Sequence, residues 1–241
     1  MKQLMTLVFG LLFITSMSAQ KVGFWFDAGV KGGFGPTFMY NSNILDDELY
    51  DHQFSNGYSV GAKFGIFKGL YNGITFDVMY NNGNQMFRDE GGDRMIDHSV
   101  SWTSTDLAVL YRLQKEGIYV ELGPMFSFMS GVDDTYDGTE TDVSESYAEN
   151  MTSGVFGFGG YLLGGGQFTL MFGLRATYGF TDMISDSGQD ARFPNPNAVT
   201  TYETYETSNP IGLQLIFEAN FGLGYFAKTA CSKRMSFFRF D

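Results

Sequence analysis

The chain has 241 residues, including 31 Gly, 25 Phe and 14 Tyr but only 5 Pro, and a formal net charge of -12 at pH 7. Its single cysteine, Cys231, excludes an intramolecular disulfide, and it carries no nucleic-acid, nucleotide or cofactor signature, so neither nucleic acid nor a cofactor is expected. A mean hydropathy of -0.10 does not exclude membrane insertion, because in a membrane barrel polar interior positions alternate with lipid-facing ones and the average cancels.

Residues 1–20 read as a secretory signal peptide. Lys2 gives a positive start, residues 4–14 an apolar run, and residues 16–20 a small, polar end with cleavage after Ala19 or Gln20. The run is short of the about 20 residues a spanning helix needs, and no cysteine stands near the cleavage region to take a lipid anchor. The rest shows no sustained helical period. A spanning chain must satisfy its backbone internally, so without helices it must close into a barrel.

Eight segments carry a period of two, the mark of strands with unlike faces. The first, about residues 22–34, sets Phe24, Phe26, Ala28 and Val30 against Asp27, Gly29 and Lys31. The second, 58–67, opposes Tyr58, Val60, Ala62, Phe64 and Ile66 to Ser59, Gly61, Lys63 and Gly65. The third has Ile74, Phe76, Val78 and Tyr80 against Thr75, Asp77, Met79 and Asn81. The fourth, 99–113, is the least regular; only its second half is clear, with Leu107, Val109 and Tyr111 against Asp106, Ala108 and Arg112. The fifth, 118–130, is the strongest: Ile118, Val120, Leu122, Pro124, Phe126 and Phe128 against Tyr119, Glu121, Gly123, Met125, Ser127 and Met129. The sixth, 152–163, is rich in Gly and Phe. The seventh carries Phe168 to Tyr178 on one parity and Arg175 on the other, and the eighth Ile211 to Tyr225 against Gln214, Glu218 and Asn220.

Connections alternate. Residues 68–73, 114–117 and 164–166 are tight, whereas 36–57, 86–98, 131–151 and 182–209 are long and polar. Short periplasmic turns and long outside loops are the habit of outer-membrane barrels. The expected fold is therefore all-β: an eight-stranded antiparallel up-and-down transmembrane barrel in the bacterial outer membrane, with both termini periplasmic. A soluble sandwich would have to expose these aromatics, which large patches on soluble monomers rarely allow. The long loops hold most of the 27 acidic residues, an acidic and solvated crown. The division reads 1–20 signal peptide, 21–226 barrel, 227–241 basic and aromatic tail.

Strand five, the 156–180 hairpin and the closing stretch 212–226 (Gly-Leu-Gln-Leu-Ile-Phe-Glu-Ala-Asn-Phe-Gly-Leu-Gly-Tyr-Phe) resemble the PorT-like outer-membrane β-barrel proteins of Bacteroidota, small barrels of the OmpA/OmpX type. The resemblance covers about residues 21–226 and is one of pattern, with no catalytic motif. It implies an outer-membrane location and an eight-stranded barrel; some relatives serve the type IX secretion and gliding machinery, and many have no assigned role. The simplest barrels stop at the last aromatic; here a tail follows Phe226.

By parity Lys31, Lys63, Arg112 and Arg175 point inward, with Asp27, Asp77, Asp106, Glu121 and Glu218. Eight strands leave an interior just wide enough for side chains, and unpaired buried charge is costly, so a plug of salt bridges is expected. The alternative is a narrow gated channel for ions or small solutes, with Arg175 and Glu121 as its gate. His98, Ser99 and Ser101 near one rim suggest a lipid-modifying site, but adjacent strand residues face opposite sides, and a base must reach its nucleophile; no enzyme is expected. His52 is the other histidine. Asp133 to Gly138 has the start of a calcium loop, but Thr135 and Ser144 stand where ligands belong, so a solvated loop is expected and no metal. In the tail, Lys228, Lys233, Arg234 and Arg239 stand among Phe237, Phe238 and Phe240. It either folds back at the barrel mouth, lies on lipid through its aromatics, or docks a periplasmic or outer-membrane protein partner. Cys231 reads as an inert thiol. The expected role is structural, an interaction protein accessory to secretion or envelope assembly.

Overall fold

The computed structural model describes residues 22–69, 71–89, 95–165, 167–196, 202, 204–228 and 235–238. The signal sequence, Cys231, Lys233, Arg234, Arg239 and Phe240 lie outside the described residues. Among the described residues eleven strands form: β1 (Val22–Tyr40), β2 (Tyr50–Gln53), β3 (Asn56–Lys68), β4 (Asn72–Asp89), β5 (Ile96–Lys115), β6 (Ile118–Tyr136), β7 (Thr139–Asp142), β8 (Asn150–Gly165), β9 (Phe168–Gly179), β10 (Asn209–Lys228) and β11 (Met235–Phe238). The order β1-β3-β4-β5-β6-β8-β9-β10 closes on itself through β10 and β1, every pair antiparallel. This is the eight-stranded transmembrane barrel expected from the sequence. Closure pairs the backbone of both end strands, which removes the exposed edges an open sheet would present.

Local chemistry sets the short turns. Between Lys115 and Ile118, Glu116 and Gly117 both take positive φ, 52° and 85°. Two left-handed residues make the tight hairpin turn whose twist matches that of its strands. At the other end of the barrel the strands run on. A tilted spanning strand needs about 9–11 residues, yet β1, β5, β6 and β10 reach 19 or 20.

The excess length belongs to a second environment. In the lower part of β5, Leu107, Val109, Tyr111 and Leu113 are exposed, while Asp106, Arg112 and Gln114 turn inward with Ala108 and Leu110. In its upper part the polarity inverts: Val100 and Trp102 are buried inside, while Ser99, Ser101, Thr103 and Thr105 face out. β6 does the same, from an outward Ile118, Val120, Leu122, Phe126 and Phe128 to an inward Val132 and an outward Asp133. Apolar surface is outside where lipid is the solvent and inside where water is.

Above this line the long connections, expected as a solvated loop set, fold into a crown. β2 pairs with β4 and β7 with β6. A short helix, Ser42–Leu45, is capped by the Asn41 side chain, and another, Asp186–Asp190, by Ser185. The connections interlock through Ala148 N–H to the Met183 carbonyl and Ser185 N–H to the Ser146 carbonyl, at 2.9 and 3.1 Å. The acidic residues stay largely at its surface. What composition hid is that each connection also contributes apolar side chains, and these pack together: Ile44 and Tyr50, Phe87, Val132 and Tyr147, Met183 and Ile184, around Trp102.

Candidate functional site

The interior of the barrel is the most concentrated chemistry in the molecule. Eight of the nine inward charges expected from parity meet in one network. Arg112 lies at its centre, opposite Glu121 in the β5–β6 register. Its Nε and Nη2 donate to Glu121 Oε2 at 3.1 and 2.6 Å, and its Nη1 and Nη2 to the two oxygens of Glu218, both at 2.7 Å. Such two-pronged pairing fixes geometry as well as charge. Arg175 donates to Asp77 Oδ2 at 2.7 Å and to Glu121 Oε1 at 2.6 Å. Lys31 reaches Asp77 at 2.6 Å and Glu218 at 3.2 Å, and Lys63 joins Asp27 and Glu218, each at 2.9 Å. Four cations thus face four anions, all withdrawn from water. Gly157 makes room for this: a Cβ there would stand 2.8 Å from Glu121 Cγ.

Asp106 is the exception. It accepts from Ser104 Oγ at 2.7 Å and forms no ion pair among the described residues. It lines a small cavity of about 60 Å³ above the network, with Ser127, Ser153 and Arg175.

Two further layers close the lumen. Toward the short turns, Phe67 is fully buried, stacked on Trp25 at 4.0 Å between centroids, with the Lys63 ammonium 5.6 Å from its ring centre. Gly73 leaves the space: a Cβ there would sit 2.2 Å from the Phe67 ring. Tyr119 lies under the Arg112 guanidinium at 4.4 Å. Toward the crown, Trp102, Met151, Val132 and their neighbours form an apolar lid. Neither layer was expected from the sequence. The signal for Phe67 and Tyr119 was present, as large aromatics on the inward parity near a short turn. The proposed gate pair, Arg175 and Glu121, is a bonded pair within the network.

His98 faces inward and its Nε2 lies 2.7 Å from Asp134 Oδ1, between the Phe87 and Tyr136 rings, while Ser99 and Ser101 face out. Among the described residues no serine hydroxyl is hydrogen-bonded to that histidine. His52 packs against Phe38 and Phe87, and burial pushes its pKa below the ordinary histidine value. The Asp133–Gly138 stretch is the end of a hairpin: Asp137 and Gly138, both at positive φ, turn β6 into β7. On that hairpin Asp142 accepts from the Ser144 hydroxyl and backbone N–H, which hold its carboxyl below the usual range. Of the tail, β10 runs on to Lys228, and Met235–Phe238 returns as β11 alongside it, with Phe237 exposed and its ring 5.2 Å from that of Phe226.

No family model and no curated protein matches the chain. Among solved structures it is similar to Neisserial surface protein A, at 12% identity over 84% of this chain and 98% of that one, with a TM-score of 0.40. It is likewise similar to the outer membrane protein OprG of Pseudomonas aeruginosa (10% identity, 84% and 97% covered, TM-score 0.38) and to Ail, the attachment invasion locus protein of Yersinia pestis (12%, 82% and 98%, TM-score 0.38). The likeness is one of strand architecture.

Proposed function

We propose that this chain is an integral protein of a bacterial outer membrane, exported by its signal peptide, that neither conducts nor catalyses but works by interaction at its two ends. The observation that carries the reading is the inversion of polarity along continuous strands, combined with a lumen stopped by floor, ion network and lid. An inverted face needs lipid below and water above. A stopped lumen leaves the crown on one side of the membrane and the tail on the other as the working surfaces. Together with the PorT-like pattern of strand five and the closing strand, this supports an accessory role in secretion or envelope assembly, with the tail as the contact for a periplasmic partner.

The test is conductance of the purified protein in planar bilayers. The expected record is flat for the native protein and for Trp102→Ala, because opening the lid leaves the ion network beneath it. Stepwise currents from the native protein would overturn the reading in favour of a gated channel with Arg175 and Glu121 as its gate.

A further inference from the structure

Eight of the nine inward charges settle into four cations against four anions, and Asp106 is left over. Asp106 is 5% exposed, and its carboxylate has only neutral partners. The Ser104 hydroxyl donates to Oδ1 at 2.7 Å, and the Ser127 hydroxyl is the other hydrogen-bonding neighbour. Hydroxyls solvate a carboxylate but leave its charge in place, and a buried charge without a counter-charge is costly. Arg175 borders the same space, yet its guanidinium is bonded to Asp77 and Glu121 and is already counted among the four cations. The barrel interior is therefore one positive charge short.

The space beside Asp106 suits a small cation. The chamber between the ion network and the lid has a volume of about 60 Å³, room for a small ion and a few waters. Asp106 lies directly across from Ser127 in the β5–β6 register, and Ser153 on β8 stands opposite Met125, two residues along β6 from Ser127. Opposed side chains on one face of a sheet are about 5 Å apart at Cβ, and diagonal ones about 7–8 Å. All three residues face inward and line the chamber. The Ser153 hydroxyl makes no hydrogen bond among the described residues and opens on the chamber. Carboxylate, hydroxyl and water oxygens are the ligands that hard cations take. A surplus of one negative charge matches a monovalent ion; a divalent one would overshoot it.

We propose that this chamber holds one monovalent alkali cation, coordinated by the Asp106 carboxylate and the Ser127 and Ser153 hydroxyls, with water completing its shell. The ion makes the interior electroneutral beneath the lid that Trp102 and Met151 close over it. The proposal goes beyond the reading of a stopped lumen and does not depend on it, since a resident ion need not cross the network.

The test is urea unfolding of the full-length protein from lipid vesicles in sodium, potassium or N-methylglucamine chloride at equal ionic strength. Unfolding opens the site, so the equilibrium reads binding however slowly the lid lets the ion exchange. With a Kd on the order of 10 mM, about 100 mM of the bound alkali cation is expected to lower the unfolding equilibrium constant roughly tenfold relative to N-methylglucamine. In Asp106→Asn, nearly the same shape without the charge, the three salts are expected to give one curve. Ser127→Ala keeps the charge and is expected to move the salt titration about fivefold to higher concentration, so it decides the matter should Asp106→Asn not insert. Equal stability of the native protein in all three salts would overturn the proposal. So would a salt effect that survives in Asp106→Asn, or an unmoved titration in Ser127→Ala. An infrared band of a protonated carboxyl, present in the native protein in sodium and potassium chloride and lost in Asp106→Asn, would overturn it as well, because the missing charge would then be a proton.

Discussion

Removing Arg112 tests whether the lumen is held by balanced charge. In Arg112→Leu, Glu218 keeps Lys31 and Lys63, and Glu121 keeps Arg175 and the more distant Lys31. The network then holds three cations against four anions, in a place without water to screen the excess. Breaking a buried pair from one side costs about 3–5 kcal/mol. Arg112→Leu with Glu121→Leu restores three against three: Arg175 and Lys31 keep Asp77, Lys31 and Lys63 keep Glu218, and Lys63 keeps Asp27. Apolar replacement of both members of a buried pair is often nearly neutral. The double variant is therefore expected to recover most of the loss, with a coupling energy of about 2 kcal/mol or more. Urea unfolding from lipid vesicles measures it by tryptophan fluorescence. The chain has two tryptophans, and Trp25 in the floor and Trp102 in the lid report both ends of the lumen. A single variant within about 1 kcal/mol of native, or a double variant that loses the sum of the two singles, would refute the reasoning.

Two further perturbations address the ends. Burial depresses the His52 pKa in the folded crown below its ordinary 6.5, so the unfolded chain takes the proton more readily. Crown stability from this group is complete above about pH 6.5 and falls as the pH drops below it. Hydrogen exchange at Tyr50–Gln53, corrected for its intrinsic rate, is expected to quicken from about pH 7 to about pH 5 in the native protein and not in His52→Phe; identical profiles would refute the assignment. Deleting residues 229–241 leaves β10 and the closed ring. The barrel is expected to keep its heat-sensitive mobility on gels but to lose its partner in a gentle-detergent pull-down from the outer membrane; a partner that stays, or none with either form, counts against docking by the tail.

The barrel was legible because lipid imposes one rule on every strand, and residues such as Ile118 to Phe128 obey it for their full length. The network was legible for the same reason, since parity alone sends Arg112, Glu121 and Glu218 inward. The upper half of β5 was harder to read because the rule reverses there. Trp102 and Val100 share a parity with Asp106 and Arg112, so a single alternation assigned to the whole segment averages two opposite faces. The lid was illegible for a different reason. Ile44, Tyr50, Tyr147 and Met183 sit alone or in short apolar pairs among acids, serines and asparagines, with no period, and only the ring of strands brings them to one point.

The lid also has a consequence for assembly. Its side chains come from all four long connections, so it cannot exist while any hairpin is still on the near side of the bilayer. Each connection must cross as a mostly polar, unpacked segment, and the apolar contacts close behind the last to arrive. Once closed, withdrawing any one hairpin would mean dismantling a core shared with the other three. The crown is thus a latch that only the complete set of hairpins can close.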